Sequence, residues 1–298
     1  MSVTATAHGA VLQRDAKRLG EALGLSGREA RAEAELLLIR ALNITRARLI
    51  AHPELAVEAA TNSTYRKSIE RRLRGEPVAY ILGEREFYGH VFSVSPDVLI
   101  PRVETELLVD LALERLDPQQ HERVLDLGTG SGAVAIAIAL NRPNVDVTVV
   151  DVSAGCLEVA HANARRLLGD AYDKQLHLLR GDWFGAVGQT QFGLIVSNPP
   201  YVAHNDIHLS RGDIRFEPQQ ALVSGPEGLN ALAHIIATAP GYLANGGWLL
   251  CEHGYNQADA VRRLLIQAGF SELVSEHDLA GIPRVSGGRW LTGTAGGG

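Results

Sequence analysis

Apolar positions recur at helical spacing through roughly the first seventy residues, and beyond about residue 120 they gather into short runs separated by helical stretches. The first pattern predicts helices over Val11 to Leu23 and from Ser26 through Leu42, where Glu29 completes a capping box with Ser26. Shorter helices are predicted near Thr45 to Ala51 and Ser63 to Leu73, so that a small helical domain ends near Gly75-Glu76-Pro77. Phe87, Tyr88, Val91, Phe92 and Val94 predict a β-hairpin between about Phe87 and Val98, turned near Gly89-His90 and serving as a connector. A helix from Glu104 through Leu116 leads into strands predicted at 123 to 127, 145 to 150, 176 to 179, 193 to 196 and 247 to 251, with helices between them. Such alternation predicts an α/β fold on a parallel sheet, and a last pair, about 271 to 276 and 284 to 291, predicts a terminal hairpin.

Two breaks in this pattern carry chemistry. Val124 to Leu127 runs into Gly128, Thr129, Gly130, Ser131, Gly132, and Ala133 to Leu140 then reads as a helix. Glycines let a backbone approach a ligand closely, and the helix start behind them offers free N–H groups. The next strand ends in Asp151, nineteen residues beyond Gly132, where a carboxylate accepts from both hydroxyls of a ribose. A nucleoside site follows. Gly128, Gly130 and Ala133 also satisfy the looser dinucleotide fingerprint, so NAD is an alternative at this point. Asp126 speaks against it, since a carboxylate two residues before the first glycine suits an ammonium, such as that of S-adenosylmethionine, and repels a pyrophosphate.

The second break is Asn198-Pro199-Pro200-Tyr201, directly after Leu194, Ile195, Val196. A conjugated nitrogen is a poor nucleophile because its lone pair is shared with the adjacent π-system, so it must be held and aimed. The Asn198 side-chain oxygen and a carbonyl left free by the Pro-Pro geometry can each accept one N–H, with Tyr201 covering the planar group. An Asn-Pro turn that merely closes a strand would show the same four residues.

Taken together and in this order, these motifs resemble class I S-adenosylmethionine-dependent methyltransferases acting on amino or amide nitrogens. Within that class the chain is similar to the release factor glutamine methyltransferases. Gly75 to Gly83, Phe87-Tyr88-Gly89 and Ile100-Pro101-Arg102-Val103-Glu104-Thr105-Glu106 carry that similarity upstream. Downstream it rests on Gly181-Asp182-Trp183-Phe184, Glu217-Pro218 with Gly225 to Leu229, and Glu252-His253-Gly254-Tyr255-Asn256-Gln257. It covers roughly residues 15 to 292, with Val103 standing where the family usually has a proline, which loosens that turn. The resemblance implies a Rossmann-like seven-stranded sheet with one antiparallel strand and a small N-terminal helical domain joined by a β-hairpin. Expected divisions are a helical substrate-recognition domain over 1–85, a hairpin linker over 86–103, the methyltransferase domain over 104–292 and a flexible tail over 293–298.

The implied reaction moves the methyl group of S-adenosylmethionine, leaving S-adenosylhomocysteine, to N5 of the glutamine in the Gly-Gly-Gln motif of class 1 peptide-chain release factors. Asp126, Gly128, Thr129, Gly130, Ser131, Gly132, Asp151, Trp183 and Asn198 are the expected cofactor residues, Trp183 against the adenine. Asn198, Pro199, Pro200 and Tyr201 are expected to hold the substrate, with Asn198, Pro199 and Tyr201 catalytic. Arg102 and Glu104 are candidates for closing over the cofactor or shaping the peptide cleft, and no metal is required. The alternative is a nucleic-acid N-methyltransferase, which would use the same Asn-Pro-Pro-Tyr device on exocyclic adenine or guanine nitrogens after flipping the base.

Composition narrows the choice. A net charge of −6 and 5% aromatic residues give no stable nucleic-acid grip over the whole surface. One cluster, Arg66, Lys67, Arg71, Arg72 and Arg74 with Glu70, makes a basic helix that is either solvated or an anion contact. No apolar run of about 18 residues spans a bilayer, and Met1 to His8 has no secretory pattern, so a cytoplasmic enzyme without a membrane is expected, as a monomer. Cys156 and Cys251 read as packed thiols, and His90, His161, His177, His204, His208 and His253 show no pairing with acids or cysteines at catalytic or metal spacing.

Overall fold

The computed structural model describes residues 7–52, 54 and 59–292. The expected 293–298 tail and the first six residues of the N-terminal segment lie outside the described residues. Internal contacts divide the chain into two units, Met1–Gly83 with Ile207–Phe216, and Glu84–Asp206 with Glu217–Gly298. Grouping of the 207–216 segment with the helices is a feature the sequence did not announce, because it is made by side chains far apart in the chain.

The first unit holds α1 (His8–Leu23), α2 (Gly27–Leu42), α3 (Arg46–Ala51), α4 (Ala59–Leu73) and α5 (Val78–Leu82). The capping box at α2 is formed: Ser26 Oγ accepts from the Glu29 backbone N–H at 3.3 Å, and Glu29 accepts from the Ser26 N–H at 2.9 Å. Leu19, Leu37, Leu38, Tyr65 and Ile69 close its core. Arg72 corrects the basic-helix reading. It is 3% exposed, its guanidinium binds both Glu33 carboxylate oxygens, at 2.7 and 3.0 Å, and Asp213 at 2.8 Å. Arg71 pairs with Glu76. Only Arg66, Lys67 and Arg74 of that cluster are exposed cations.

The second unit opens with a hairpin, β1 (Glu84–Phe87) against β2 (His90–Ser93). Its two-residue turn is Tyr88-Gly89, both at positive φ (50° and 73°), one residue earlier than expected, as the right-handed strand twist favours. Then follow α6 (Glu106–Arg115), β3 (Glu122–Leu127), α7 (Ala133–Asn141), β4 (Val145–Asp151), α8 (Ala154–Leu168), α9 (Tyr172–Gln175), β5 (Leu176–Arg180) and β6 (Phe192–Ser197). The chain ends with α10 (Asn230–Thr238), β7 (Leu243–Glu252), α11 (Ala258–Gln267), β8 (Ser271–His277) and β9 (Pro283–Arg289). The seven-stranded sheet has the order β5-β4-β3-β6-β7-β9-β8, parallel except for β9, which runs against both neighbours.

Alternation along the central strands sends Val124, Leu194, Val196 and Leu250 into one core with α6 to α8, and Leu125, Leu127, Ile195, Leu249 and Cys251 into another with α10 and α11. Strand β7 begins earlier than the expected residue 247: it starts at Leu243 and runs through Gly246 and Gly247. There the Gly246 N–H donates to the Trp290 carbonyl at 2.7 Å. Strand order reverses between β3 and β6, and the crevice beyond their carboxyl ends is where a parallel α/β sheet accepts a ligand. Among the described residues no helix is long and apolar enough to cross a membrane.

Candidate active site

At that crevice a cavity of about 520 Å³ is lined from both sides of the switch point. On the β3 side the chain leaves the sheet through Gly128 (φ 72°) and Gly130 (φ 55°), a left-handed path that side chains disfavour. The Gly128 and Thr129 N–H groups donate to the Val150 carbonyl at 2.9 and 3.1 Å, so the turn is pinned to β4. Asp151, at the end of β4, ties the loop from the other direction: its two carboxylate oxygens accept from the Gly130 and Ser153 N–H groups, each at 2.9 Å. Asp126 is 2% exposed and accepts from the Thr129 hydroxyl at 2.6 Å. Burial raises its carboxyl to about 7, the nearby Asp151 charge adds to the rise, and the Thr129 hydrogen bond opposes it.

Trp183 enters the cavity wall from the turn after β5, at φ 47°, a conformation that strains a bulky residue. Its ring lies over Gly128, where an added Cβ would stand 3.5 Å from it.

On the β6 side the sheet ends at Ser197, whose hydroxyl donates to the Leu127 carbonyl at 2.7 Å, and Asn198 follows at once. The Asn198 amide nitrogen donates to Thr105 Oγ1 at 3.1 Å. Its Oδ1 has no partner among the described residues. The Tyr201 ring packs against the Leu125 and Ile195 core, and its phenol donates to Glu252 Oε1 at 3.1 Å. Burial beside the Glu252 charge pushes the phenol's pKa upward. Glu252, 1% exposed at the end of β7, is raised to about 7 by burial, against the nearby Thr105 hydroxyl and the Tyr201 phenol, which favour its ionised form. The Tyr201 carbonyl accepts from Gln257 Nε2 at 3.0 Å, and Gly228 (φ 75°) passes so close that a Cβ there would stand 2.1 Å from that oxygen.

Thus Asp126, Gly128, Thr129, Gly130, Ser131, Asp151, Trp183, Asn198 and Pro200 share one cavity, while Gly132, Pro199 and Tyr201 are not among its lining residues. Gly132 is required for packing: at φ 80°, a Cβ would come within 2.9 Å of Ile136 and 3.2 Å of Ala160. Tyr201, expected as the cover over the planar group, does not line the cavity, and its hydroxyl donates to the buried Glu252. Arg102 lines the cavity and pairs with the buried Glu217, which also accepts from the Ile100 N–H at 3.3 Å; Glu104 is not in the lining.

Thr105, Glu217, Glu252 and Gln257 carried no assigned role in the sequence reading. The only signal was their place inside the resembling segments. His177 lies 3.0 Å from Asp146 on the neighbouring strand β4, with its side chain exposed. Cys156 and Cys251 are buried thiols pushed up to about 12 by desolvation. His253, also buried, shares a hydrogen bond with Ser286 at 2.8 Å. Among the described residues no cluster of three or more His, Cys, Asp or Glu is placed to hold a metal.

A sheet of this order with a glycine turn after β3, carboxylates ending β3 and β4, and an asparagine directly after β6 defines a class I methyltransferase. Family models agree: the methyltransferase small domain matches residues 105–217 and the PrmC N-terminal domain residues 11–83. The release factor glutamine methyltransferase of Bordetella pertussis is 51% identical over 259 residues, 87% of this chain and 94% of the relative. That of Burkholderia pseudomallei is 48% identical over 259 residues, 86% of this chain and 91% of the relative. A methyltransferase from Pyrococcus furiosus shares the fold, with a TM-score of 0.52 at 18% identity over 74% of this chain and 97% of its own. The chain belongs to the release factor glutamine methyltransferase family.

Proposed function

We propose that this chain transfers the methyl group of S-adenosylmethionine to the side-chain amide nitrogen of the glutamine in the Gly-Gly-Gln motif of class 1 peptide-chain release factors, in the cytoplasm. Family membership supports the substrate. One observation carries the chemistry: Asn198 lines the cavity with its amide nitrogen committed to Thr105 and its oxygen unpartnered among the described residues, an acceptor ready for an N–H.

The lining fits S-adenosylmethionine. A buried carboxyl held near 7 at Asp126 gains most from an ammonium partner. Asp151 uses one lone pair per oxygen on main-chain N–H groups and keeps others for ribose hydroxyls. Trp183 offers a flat ring, and no atom stands within 4 Å of the place where a Cβ on Gly130 would be, which leaves that stretch of main chain open. When bound, the cofactor supplies a methyl group already activated on a cationic sulfur.

The residues after β6 provide orientation. Asn198 Oδ1 accepts one hydrogen of the glutamine amide, and the carbonyl of Pro199, which adjoins the lining residues Asn198 and Pro200, takes the other, so that the nitrogen is aimed. As that nitrogen becomes positive, both acceptors bind it more strongly than in the ground state, which lowers the barrier. The test is transfer of labelled methyl to purified release factor, with its Gly-Gly-Gln glutamine replaced by alanine in a parallel sample, and to bulk RNA and DNA. Label confined to the intact factor is expected, and label on nucleic acid overturns the substrate.

A further inference from the structure

An asparagine amide has two ends of nearly equal size and opposite hydrogen-bonding sense, and only its oxygen can accept from a glutamine N–H. Something must decide which end faces the cavity. Asn198 lies directly after β6, with no helix or strand hydrogen bond of its own to fix its side chain. The deciding contact comes from 93 residues upstream, where Thr105 ends the short turn before α6, is 4% exposed, and accepts the Asn198 amide N–H at 3.1 Å.

Behind Thr105 stands Glu252, in the next strand of the sheet beyond β6, since Ser197 is paired with Cys251. The Thr105 hydroxyl is near enough to this carboxylate to favour its ionised form, and Tyr201 donates to its Oε1 at 3.1 Å. Among the described residues Glu252 Oε2 has no hydrogen-bond partner, so the carboxylate has acceptor capacity to spare. A carboxylate accepts only. Thr105, once its proton is drawn toward Glu252, is left with its lone pairs for Asn198, and an accepting Thr105 can be satisfied only by the nitrogen end of the amide.

We propose that Thr105 is the positioning residue that fixes the Asn198 amide with its oxygen toward the acceptor nitrogen, and that the buried Glu252 carboxylate sets the polarity of the Thr105 hydroxyl. This rests on Asn198 being the acceptor of the substrate N–H. It makes the site a reader of N–H donors, with the discrimination placed one residue behind the residue that touches substrate.

The test compares Thr105→Val, which keeps the shape and removes the hydroxyl, with Thr105→Ser, which keeps the hydroxyl. Thr105→Val should lower kcat for release-factor methylation by about tenfold while KM for S-adenosylmethionine stays within about twofold, and Thr105→Ser should recover most of the loss. Placed on Asn198→Ala, Thr105→Val should remove nothing further, because the group it orients is gone. Wild-type kcat in Thr105→Val, equal loss in Thr105→Ser, or additive losses with Asn198→Ala would overturn the proposal.

A readout independent of substrate separates it from the functional reading. The side-chain amide signal of Asn198 in nitrogen-15 spectra, assigned by its loss in Asn198→Ala, should be protected from solvent exchange in the wild type and Thr105→Ser and unprotected in Thr105→Val. Equal protection in all three defeats the orienting role even if methylation is confirmed. The expected pattern in an enzyme that labels no release factor defeats the substrate and leaves the orienting role standing.

Discussion

The two walls of the cavity are built by different means. On the β3 side the main chain does the holding: N–H groups of Gly128, Thr129, Gly130 and Ser153 are spent on Val150 and Asp151. On the β6 side, side chains hold the loop, with Thr105 on Asn198, Glu252 on Tyr201 and Gln257 on the Tyr201 carbonyl. A wall made of backbone has little to lose by single substitutions outside its glycines and carboxylates. One made of side chains can be undone piece by piece. Under the proposed function binding falls to the first wall and turnover to the second, and variants on each should separate the two.

Gly228→Ala should show the largest effect. With φ at 75° and a Cβ 2.1 Å from the Tyr201 carbonyl, the loop after β6 must move, and a displacement on the order of 1 Å at reacting groups costs about a hundredfold in rate. Steady-state kinetics should place that loss in kcat, with S-adenosylhomocysteine affinity by calorimetry little changed; a matching loss of affinity would merge the two walls. Asn198→Ala comes next, at about ten- to a hundredfold in kcat, the worth of one charge-assisted hydrogen bond of about 1.5 to 3 kcal/mol. Unimpaired turnover there would remove the role given to the β6 side.

Asp126→Asn tests the other wall and should weaken S-adenosylhomocysteine by about tenfold with a smaller change in kcat. Its pH behaviour sharpens the point. The folded carboxyl sits at about 7, above the unfolded value of about 4, so its contribution to stability is full below the unfolded pKa and is lost as pH rises through 7. An ammonium ligand favours the ionised form. Affinity in the wild type should therefore rise with pH through neutrality, and Asp126→Asn should flatten the titration; an unflattened curve would mean the ammonium is held elsewhere.

What could be read from sequence follows the same division. The β3 wall was legible because positive φ demands glycine and the two carboxylates fall at strand ends, all within a stretch of 26 residues from Asp126 to Asp151. The helical unit and the sheet were legible from the spacing of apolar residues, apart from the start of β7, where Ala244-Asn245-Gly246 interrupts the apolar run. Asn198 was legible as a residue of the cavity. Its supports were not, since Thr105, Glu252 and Gln257 reach it or its loop from 93, 51 and 56 residues away in their respective hydrogen bonds. Arg72 was misread for the same reason: its acidic partners, Glu33 and Asp213, lie 39 and 141 residues off.

Tyr201→Phe is the gentlest probe and asks what that ring is for. A cover over the acceptor amide would survive the change, because phenylalanine keeps the flat face. The observed hydrogen bond would not: Glu252 loses the donor on Oε1 while Oε2 has none among the described residues, and an unsatisfied buried acceptor costs about 1 to 3 kcal/mol. Since the phenol supports the ionised carboxylate, whose pKa is about 7, the destabilisation should be larger above neutrality and shrink as pH falls and Glu252 takes up a proton. Urea unfolding on both sides of neutrality measures it. Equal stability of the two proteins at the alkaline end would mean that the Tyr201 hydroxyl does not hold the β6 wall, and that only Thr105 and Gln257 do.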